Sequence, residues 1–198
     1  ACSAGGRAIP AADSDAPVTL AIGFPYLTGV DSLHGIGQAA RLASLEGLST
    51  QDLNGRPLPR LAERWSESPD GLTWTIQLRT SAVFHDGSPV DAEAVKRSLD
   101  RFLTSDASRF SPGLQDISSI EASGTYALTI RLRQRSSLLL DDLDSPITKL
   151  DSAGAVIGTG PFVVTSTSAT ELHMAAFPRY YRGIPAIDHL VWRLYPTV

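Results

Sequence analysis

Histidine side chains are the first candidates for catalysis or metal binding in this sequence of 198 residues. The four histidines, His34, His85, His173 and His189, fall in separate segments. A zinc site needs several ligands close together, commonly two histidines one helical turn apart or a His-Glu-x-x-His pattern, and neither spacing occurs. The histidines therefore give no indication of a zinc site.

Acidic residues are the second candidates, because Asp141, Asp142 and Asp144 cluster at the end of one short segment. Calcium loops need a Gly at a defined turn and a closing Glu, and this segment has neither. It instead predicts a short helix with Ser136 as its N-cap and an end before Pro146. A solvated acidic face is favoured over a cation site, so no metal and no cofactor is predicted.

Motifs for nucleophilic catalysis and for phosphate binding do not occur either. No serine lies in a Gly-x-Ser-x-Gly elbow, so no nucleophile with its base can be nominated. The glycine-rich turn Gly158–Phe162 lacks the longer spacing and the Lys-Ser/Thr pair of a phosphate-binding loop. No enzymatic activity is predicted.

The elements that would position functional side chains are clearest in residues 57–102. Alternation along Leu72–Leu78 predicts a strand with one buried face. The turn Pro69-Asp70-Gly71 should pair this strand with Glu63–Ser68 as a hairpin. Asp91 stands at the N-cap position of an amphipathic helix. The apolar positions of that helix are Val95, Leu99, Phe102 and Leu103.

The rest of the chain contains further strand and helix patterns. The predicted elements are a buried strand at Val18–Phe24 that leads into a loop, a helix within Gly35–Leu48, a loop at Thr104–Gly113, a hairpin of Ile117–Ala122 with Tyr126–Arg133, and strands at Phe162–Thr167 and Ile187–Tyr195.

A run of four short motifs carries a family resemblance. The motifs are Gly55–Trp65, Asp70–Thr75, Val83–Val90 and Asp91–Val95. Their order and gaps resemble the signature of the family 5 extracytoplasmic solute-binding proteins, the peptide-, oligopeptide- and nickel-binding receptors of ABC importers. Two later runs, Gly158–Phe162 and Tyr180–Asp188, resemble further family signatures, with Phe177 standing where the family usually has Asn.

The resemblance implies an α/β fold, a type II periplasmic-binding-protein-like lobe with a mixed sheet flanked by helices. It covers only the first part of the family's length. Residues 18–198 are therefore expected to form lobe I, with the second lobe and the C-terminal return absent. The side chains expected to be buried in the sheet are Trp74, Ile76, Leu128, Ile130, Phe162, Trp192 and Leu194.

The resemblance also implies five ligand-binding residues. The loop after the first strand faces the ligand cleft in this family, which makes Tyr26 and Leu27 candidates. Glu46 stands in a run similar to the family's Tyr-Glu-Gly-Leu, and Arg109 with Phe110 matches the types that the family presents from this region. Local packing of the Tyr-Leu pair and a structurally paired or solvated Glu46 remain open alternatives.

Cys2 is the single cysteine, so no intrachain disulfide is possible. Ala1-Cys2 matches the last two positions of a bacterial lipobox, and residues 1–17 have the small, polar composition of a tether. Since the family is commonly anchored this way, Cys2 is the predicted lipidation site, at the outer face of the cytoplasmic membrane, in a periplasmic or cell-surface location. A free thiol on a disordered tail is the alternative.

Charge and hydrophobicity limit the kinds of partner that this chain can bind. A net charge of -4 argues against nucleic acid held through phosphates, and no apolar run approaches the roughly 20 residues that cross a bilayer. The first hypothesis is a receptor lobe that captures peptides or similar small polar solutes and works with ABC permease subunits. The second is a stand-alone lobe that acts as an interaction module, including a homodimer through its bare cleft face. An enzyme is the third and least supported class.

Overall fold

The computed structural model describes residues 16–26 and 32–196. The strands are β1 (Thr19–Tyr26), β2 (Ser49–Gln51), β3 (Pro57–Pro59), β4 (Ala62–Glu67), β5 (Thr73–Leu78), β6 (Ile117–Gly124), β7 (Ala127–Leu132), β8 (Lys149–Leu150), β9 (Val156–Ile157), β10 (Phe162–Thr167), β11 (Glu171–Ala176) and β12 (His189–Pro196). The helices are α1 (Ser32–Ser44), α2 (Ala92–Leu103), a 3-10 helix (Asp106–Phe110), α3 (Pro112–Gln115) and α4 (Leu139–Asp142). None of these helices is long and apolar enough to cross a membrane.

The first sheet has the strand order β1-β12-β11-β10. Strand β1 runs parallel to β12, whereas the other neighbours are antiparallel, so this sheet is mixed, as predicted. Alternate residues of β12 point to one face, where they pack with α1 around Ile36 and Ala40. The buried residues of β12 on that face are Leu190, Trp192 and Leu194.

The second sheet has the strand order β4-β5-β7-β6 and is antiparallel throughout. Both predicted hairpins are therefore confirmed. The amphipathic helix that was predicted to follow Asp91 is α2, which packs on this sheet through Val95 and Leu99. Its N-cap is Asp91, whose carboxylate accepts a hydrogen bond of 2.8 Å from the Ala94 N–H and so satisfies one of the free donors of the first turn.

The residues predicted to be buried in one mixed sheet are buried, but they belong to two sheets with separate hydrophobic clusters. Trp74, Ile76, Leu128 and Ile130 lie in the cluster of the second sheet, and the other three lie in that of the first sheet. The chain begins the first sheet with β1, builds the whole second sheet, and returns at β10. Alternation within each strand predicts burial but not which strands pair.

The first strand differs from its prediction in burial and in length. β1 is an edge strand of the first sheet, so Leu20 keeps 41% of its surface exposed where a buried strand was expected. The strand also continues to Tyr26, because residues through Tyr26 pair with β12, whereas the loop was predicted to begin at Phe24.

Two predicted segments downstream also differ. The predicted loop Thr104–Gly113 contains the 3-10 helix and the start of α3, where Pro112 suits the first position because its missing N–H would have no helical partner. The predicted helix from Ser136 shrinks to α4, with Leu138 rather than Ser136 as its N-cap. The Ser136 hydroxyl instead accepts a weak hydrogen bond from the Leu138 N–H at 3.4 Å.

Each large cluster depends on one tryptophan, since Trp74 is 8% exposed and Trp192 is 9% exposed. We expect Trp74→Ala and Trp192→Ala each to lower the free energy of unfolding by about 3–5 kcal/mol, because the change removes buried surface and leaves a cavity. Urea unfolding measures this, with the fully exposed Leu53→Ala as the control. A tryptophan variant as stable as the control would contradict the assignment of that strand to a core.

Candidate ligand-binding site

Glu46 lies in the short connection between α1 and β2 and is 4% exposed. Its Oε1 accepts hydrogen bonds from the Arg60 guanidinium and, at 2.6 Å, from the Tyr180 hydroxyl. Arg60 follows β3, and Tyr180 lies in the connection from β11 to β12. One carboxylate oxygen therefore joins three segments that are distant in sequence.

The charges in this cluster shift the titration of its members. Burial, followed by the hydrogen bond to Glu46, raises the pKa of Tyr180 to about 12. Burial also raises the pKa of the neighbouring Tyr181, whose ring centre lies 4.9 Å from that of Tyr180. Burial opposes the charged form of Arg60, yet the negative charge of Glu46 raises the pKa of Arg60 above its ordinary value. Both tyrosines stay neutral and Arg60 stays charged near pH 7.

Two polar atoms of the cluster are buried and have no hydrogen-bond partner in the described part of the chain, Glu46 Oε2 and the Tyr181 hydroxyl. Such atoms cost about 1–3 kcal/mol each when nothing bonds to them. Glu46 also contributes to the raised pKa of Tyr181, so the two groups are neighbours and a small rotation would let the hydroxyl donate to the carboxylate.

A cavity of about 330 Å³ adjoins Glu46, and we refer to it as the Glu46 cavity. The residues that line it are Gln38, Arg41, Leu42, Leu45, Glu46, Thr50, Arg60, Asp144 and Pro146. Two arginines, two acidic residues, a glutamine and a threonine thus line one space, together with leucine and proline residues. This combination suits a small solute that carries both polar and charged groups.

The glycine-rich turn positions this cavity by packing against the end of α1. A side chain at Gly158 would place its Cβ 2.2 Å from the Ser44 carbonyl oxygen, and one at Gly160 would clash with the same backbone. The Gly160 N–H donates to the Ser44 carbonyl at 2.9 Å, and the ring Nε2 of His85 donates to the Gly160 carbonyl at 3.0 Å. The two glycines therefore let the backbone of this turn lie against the backbone at the end of α1, and this contact holds the connection that contains Glu46 in position.

The structure does not bring the predicted site residues into one place. Arg109 and Phe110 lie on the 3-10 helix, where Arg109 pairs with Asp106 and Phe110 is 81% exposed, and neither lines the Glu46 cavity. Tyr26 is the last residue of β1, with Pro196 of β12 beside it in the sheet. Leu27 lies outside the described residues, as does Cys2. Ligand contact by these residues stays a prediction.

Sequence reasoning missed four residues of this site. Arg41, Arg60 and Asp144 line the cavity, and Tyr180 donates a hydrogen bond to Glu46. Arg60 and Tyr180 stand inside motifs that carried the family resemblance, and that position was the available signal. Within residues 16–26 and 32–196, no three His, Cys, Asp or Glu side chains come together in a way that could hold a metal ion.

We expect Glu46→Gln to lower the free energy of unfolding by about 1–3 kcal/mol, because it leaves Arg60 partly buried without its counter-charge. Chemical denaturation of Glu63→Gln provides a matched control, since the Glu63–Arg64 pair is 3.9 Å apart and well exposed, so that its loss should cost less than about 0.5 kcal/mol. Equal effects of the two variants would mean that the Glu46 cluster does not hold the fold together.

Comparisons with known proteins identify relatives of this chain in sequence and in fold. Residues 56–198 match the family described as bacterial extracellular solute-binding proteins, family 5 Middle. The glutathione-binding protein GsiB of Salmonella paratyphi A is 31% identical over 94% of this chain and 39% of its own length. AgaA of A. tumefaciens R10, solved in complex with agropinic acid, is 30% identical with a TM-score of 0.74 over 89% of this chain and 40% of AgaA. NikA of Brucella suis, solved with Fe(III)-EDTA, shares the fold with a TM-score of 0.77 and 24% identity over 90% of this chain and 40% of NikA.

These relatives are longer than this chain, which spans about two fifths of the length of each. The structural likeness confirms the predicted fold class, and the family match covers well over half of the chain. The resemblance of the sequence motifs is therefore confirmed, and the chain belongs to the bacterial extracellular solute-binding proteins of family 5.

Proposed function

We propose that this chain is the lobe of an ABC-importer substrate-binding protein that helps to capture a peptide or a similar small polar solute outside the cytoplasm. The observation that carries the proposal is the Glu46 cavity, a space lined by charges of both signs in a member of a solute-binding family. GsiB is named for glutathione and AgaA was solved with agropinic acid, and both are small charged molecules. The family binds solutes for transport, and we propose no catalysis by this chain.

The proposal assigns residues 18–198 to one lobe of a two-lobe receptor. A cavity of about 330 Å³ beside exposed side chains such as Leu42 covers only one side of a solute. Pockets that hold ligands tightly bury most of the ligand surface. Since the relatives are about two and a half times as long, we assign the opposite wall to the additional length that they carry.

Strand geometry supports ligand contact at Tyr26 and Leu27. In open α/β sheets, ligands bind beyond the carboxyl ends of parallel strands, and β1 and β12 are parallel with ends at Tyr26 and Pro196. Glu46 Oε1 is already engaged by Arg60 and Tyr180, and Glu46 Oε2 is buried, so we assign the direct contact in the cavity to Arg41. The exposed Phe110 ring and the neighbouring Arg109 stay proposed contacts.

A second candidate function is an interaction module. Phe110 and Leu42 expose 81% and 85% of their surface, which favours contact with another protein or a second copy of the chain. A concentration-dependent dimer in sedimentation experiments would support binding to a second copy, whereas a monomer at all concentrations would remove the homodimer.

We expect the 198-residue chain to bind glutathione and short peptides only weakly. A single lobe makes about half the contacts of a complete receptor but still loses the same entropy on association. We therefore expect a dissociation constant near millimolar where a complete receptor has one near micromolar, which is a loss of roughly 4 kcal/mol or more of binding free energy. Calorimetry of this chain and of a longer protein with the second lobe checks the difference, with Arg41→Gln as a variant that weakens binding in both. Submicromolar binding by the monomeric 198-residue chain would contradict the two-lobe proposal.

We also propose that Cys2 is lipidated and tethers the lobe to the outer face of the cytoplasmic membrane, beside its permease partners. The support is Ala1-Cys2 and the polar, Pro-containing composition of residues 1–17. With a native signal sequence, the wild-type protein should sediment with membranes and Cys2→Ser should be released, because the variant has no thiol for the acyl-glyceryl group. Membrane retention of Cys2→Ser would refute the anchor.

A further inference from the structure

A second cavity adjoins the Glu46 cavity and shares Arg41 and Leu45 with it. It has a volume of about 240 Å³ and lies between α1 and the strands β10 and β11 of the first sheet. We refer to it as the Val164 pocket. The apolar side chains that line it are Leu45, Val156, Val164 and Leu172, together with Ala40 of α1.

The Val164 pocket presents apolar surface to the solvent. Val156 keeps 59% and Val164 keeps 43% of its surface exposed. A single exposed valine needs no explanation, but these two line one concave pocket with two leucines, and exposed apolar surface of this kind marks binding sites. An apolar group of a solute that entered the pocket would gain from the removal of both surfaces from water.

Gly37 of α1 keeps this pocket open. It lines the pocket, and a Cβ built on it would meet no other atom within 4 Å. Close backbone contact therefore does not explain this glycine, in contrast to Gly158, and its φ is not positive. A glycine inside a helix is less stable than an alanine, so its effect at this position is the space that it leaves.

Arg41 stands at the boundary between the two cavities. It is exposed, and no carboxylate of the described residues forms an ion pair with it. The nearby Glu46 accepts from Arg60 and Tyr180 instead. A guanidinium is suited to bind a carboxylate through two parallel hydrogen bonds. A carboxylate bound to Arg41 would therefore lie beside an apolar pocket and beside a polar cavity.

We propose that the solute is a peptide, or an acid of similar structure, whose C-terminal residue has an apolar side chain. Its carboxylate pairs with Arg41, its apolar side chain enters the Val164 pocket, and the remainder lies in the Glu46 cavity. These three groups branch from one carbon atom of the solute, as the two cavities meet at Arg41. The inference rests on the proposed function and adds the chemistry of one end of the solute.

The size and the lining of the two cavities fit this arrangement. Their volumes, about 240 and 330 Å³, together lie within the range of about 300–1,000 Å³ for ligand pockets. In the Glu46 cavity, Gln38, Thr50 and Asp144 offer oxygen acceptors to the N–H groups of a peptide and to its ammonium group.

Three tripeptides test the inference on the 198-residue chain. They are alanyl-alanyl-leucine, alanyl-alanyl-serine and the C-terminal amide of the leucyl peptide. The readout is the backbone N–H resonances of Gly37 and Thr50, each of which lines only one of the two cavities. We expect the leucyl peptide to shift both resonances saturably. The seryl peptide should bind about tenfold more weakly, because it buries less apolar surface, and the amide about fivefold more weakly, because it lacks the charge.

Matched variants at one position separate the pocket from the rest of the site. Gly37→Leu fills the pocket, so it should bind the leucyl peptide about tenfold more weakly and the seryl peptide as the wild type does. Gly37→Ala leaves most of the space and should keep the preference for leucine. Arg41→Gln should weaken both peptides alike, because both carry the carboxylate. If Gly37→Leu fails to fold, the comparison of the leucyl and seryl peptides on the wild type decides.

The outcomes distinguish this inference from the proposed function. Equal binding of the leucyl and seryl peptides, or wild-type binding of the leucyl peptide by Gly37→Leu, would overturn the inference and leave the capture of solute intact. A Gly37 resonance that moves on dilution without peptide would assign the pocket to a second copy of the chain and overturn it as well. A Thr50 resonance that no peptide shifts would contradict the proposed function, and the inference with it.

Discussion

The buried carboxylate of Glu46 is the constraint on which the arrangement of the two sheets depends. It holds Arg60 and Tyr180, so it ties the end of α1 to the segment after β3 and to the connection before β12. Desolvation offsets much of the attraction in a buried ion pair, so its net contribution to stability is small, but breaking it leaves a charge without compensation. Such a pair does more to fix one arrangement of the segments than to raise the total stability.

Both segments in which the chain crosses between the two sheets lie next to Glu46. The outgoing crossing runs from Ser44 to Leu48, and the return crossing contains Gly158 and Gly160. Backbone hydrogen bonds join them to each other and to the second sheet's loops, from Gly160 N–H to Ser44 at 2.9 Å and from His85 N–H to Gly158 at 2.9 Å. A residue with a side chain at either glycine would push the crossings apart. The Glu46 cavity therefore depends on two glycines that have no functional side chain but allow close contact between backbones.

The parts of the fold that the sequence predicts are those in which the signal is local. The hairpin of β4 with β5 has its turn and its alternation in one stretch, and Asp91 stands three residues before the N–H that it caps. The division into two sheets could not be predicted, because Trp74 and Trp192 have the same strand pattern and pairing depends on distant partners. The partners of Glu46 were hidden for the same reason, since Tyr180 is 134 residues away along the chain.

The Glu46 cavity lies where segments of the two sheet units meet. The Glu46 cavity has walls from α1, from the segment after β3 and from the residues after α4, so a solute there contacts segments of both sheet units. A ligand stabilises whichever conformation it binds better, by no more than its difference in affinity for the two. A solute that bound in the Glu46 cavity, as proposed, would therefore stabilise one arrangement of the two sheets relative to each other.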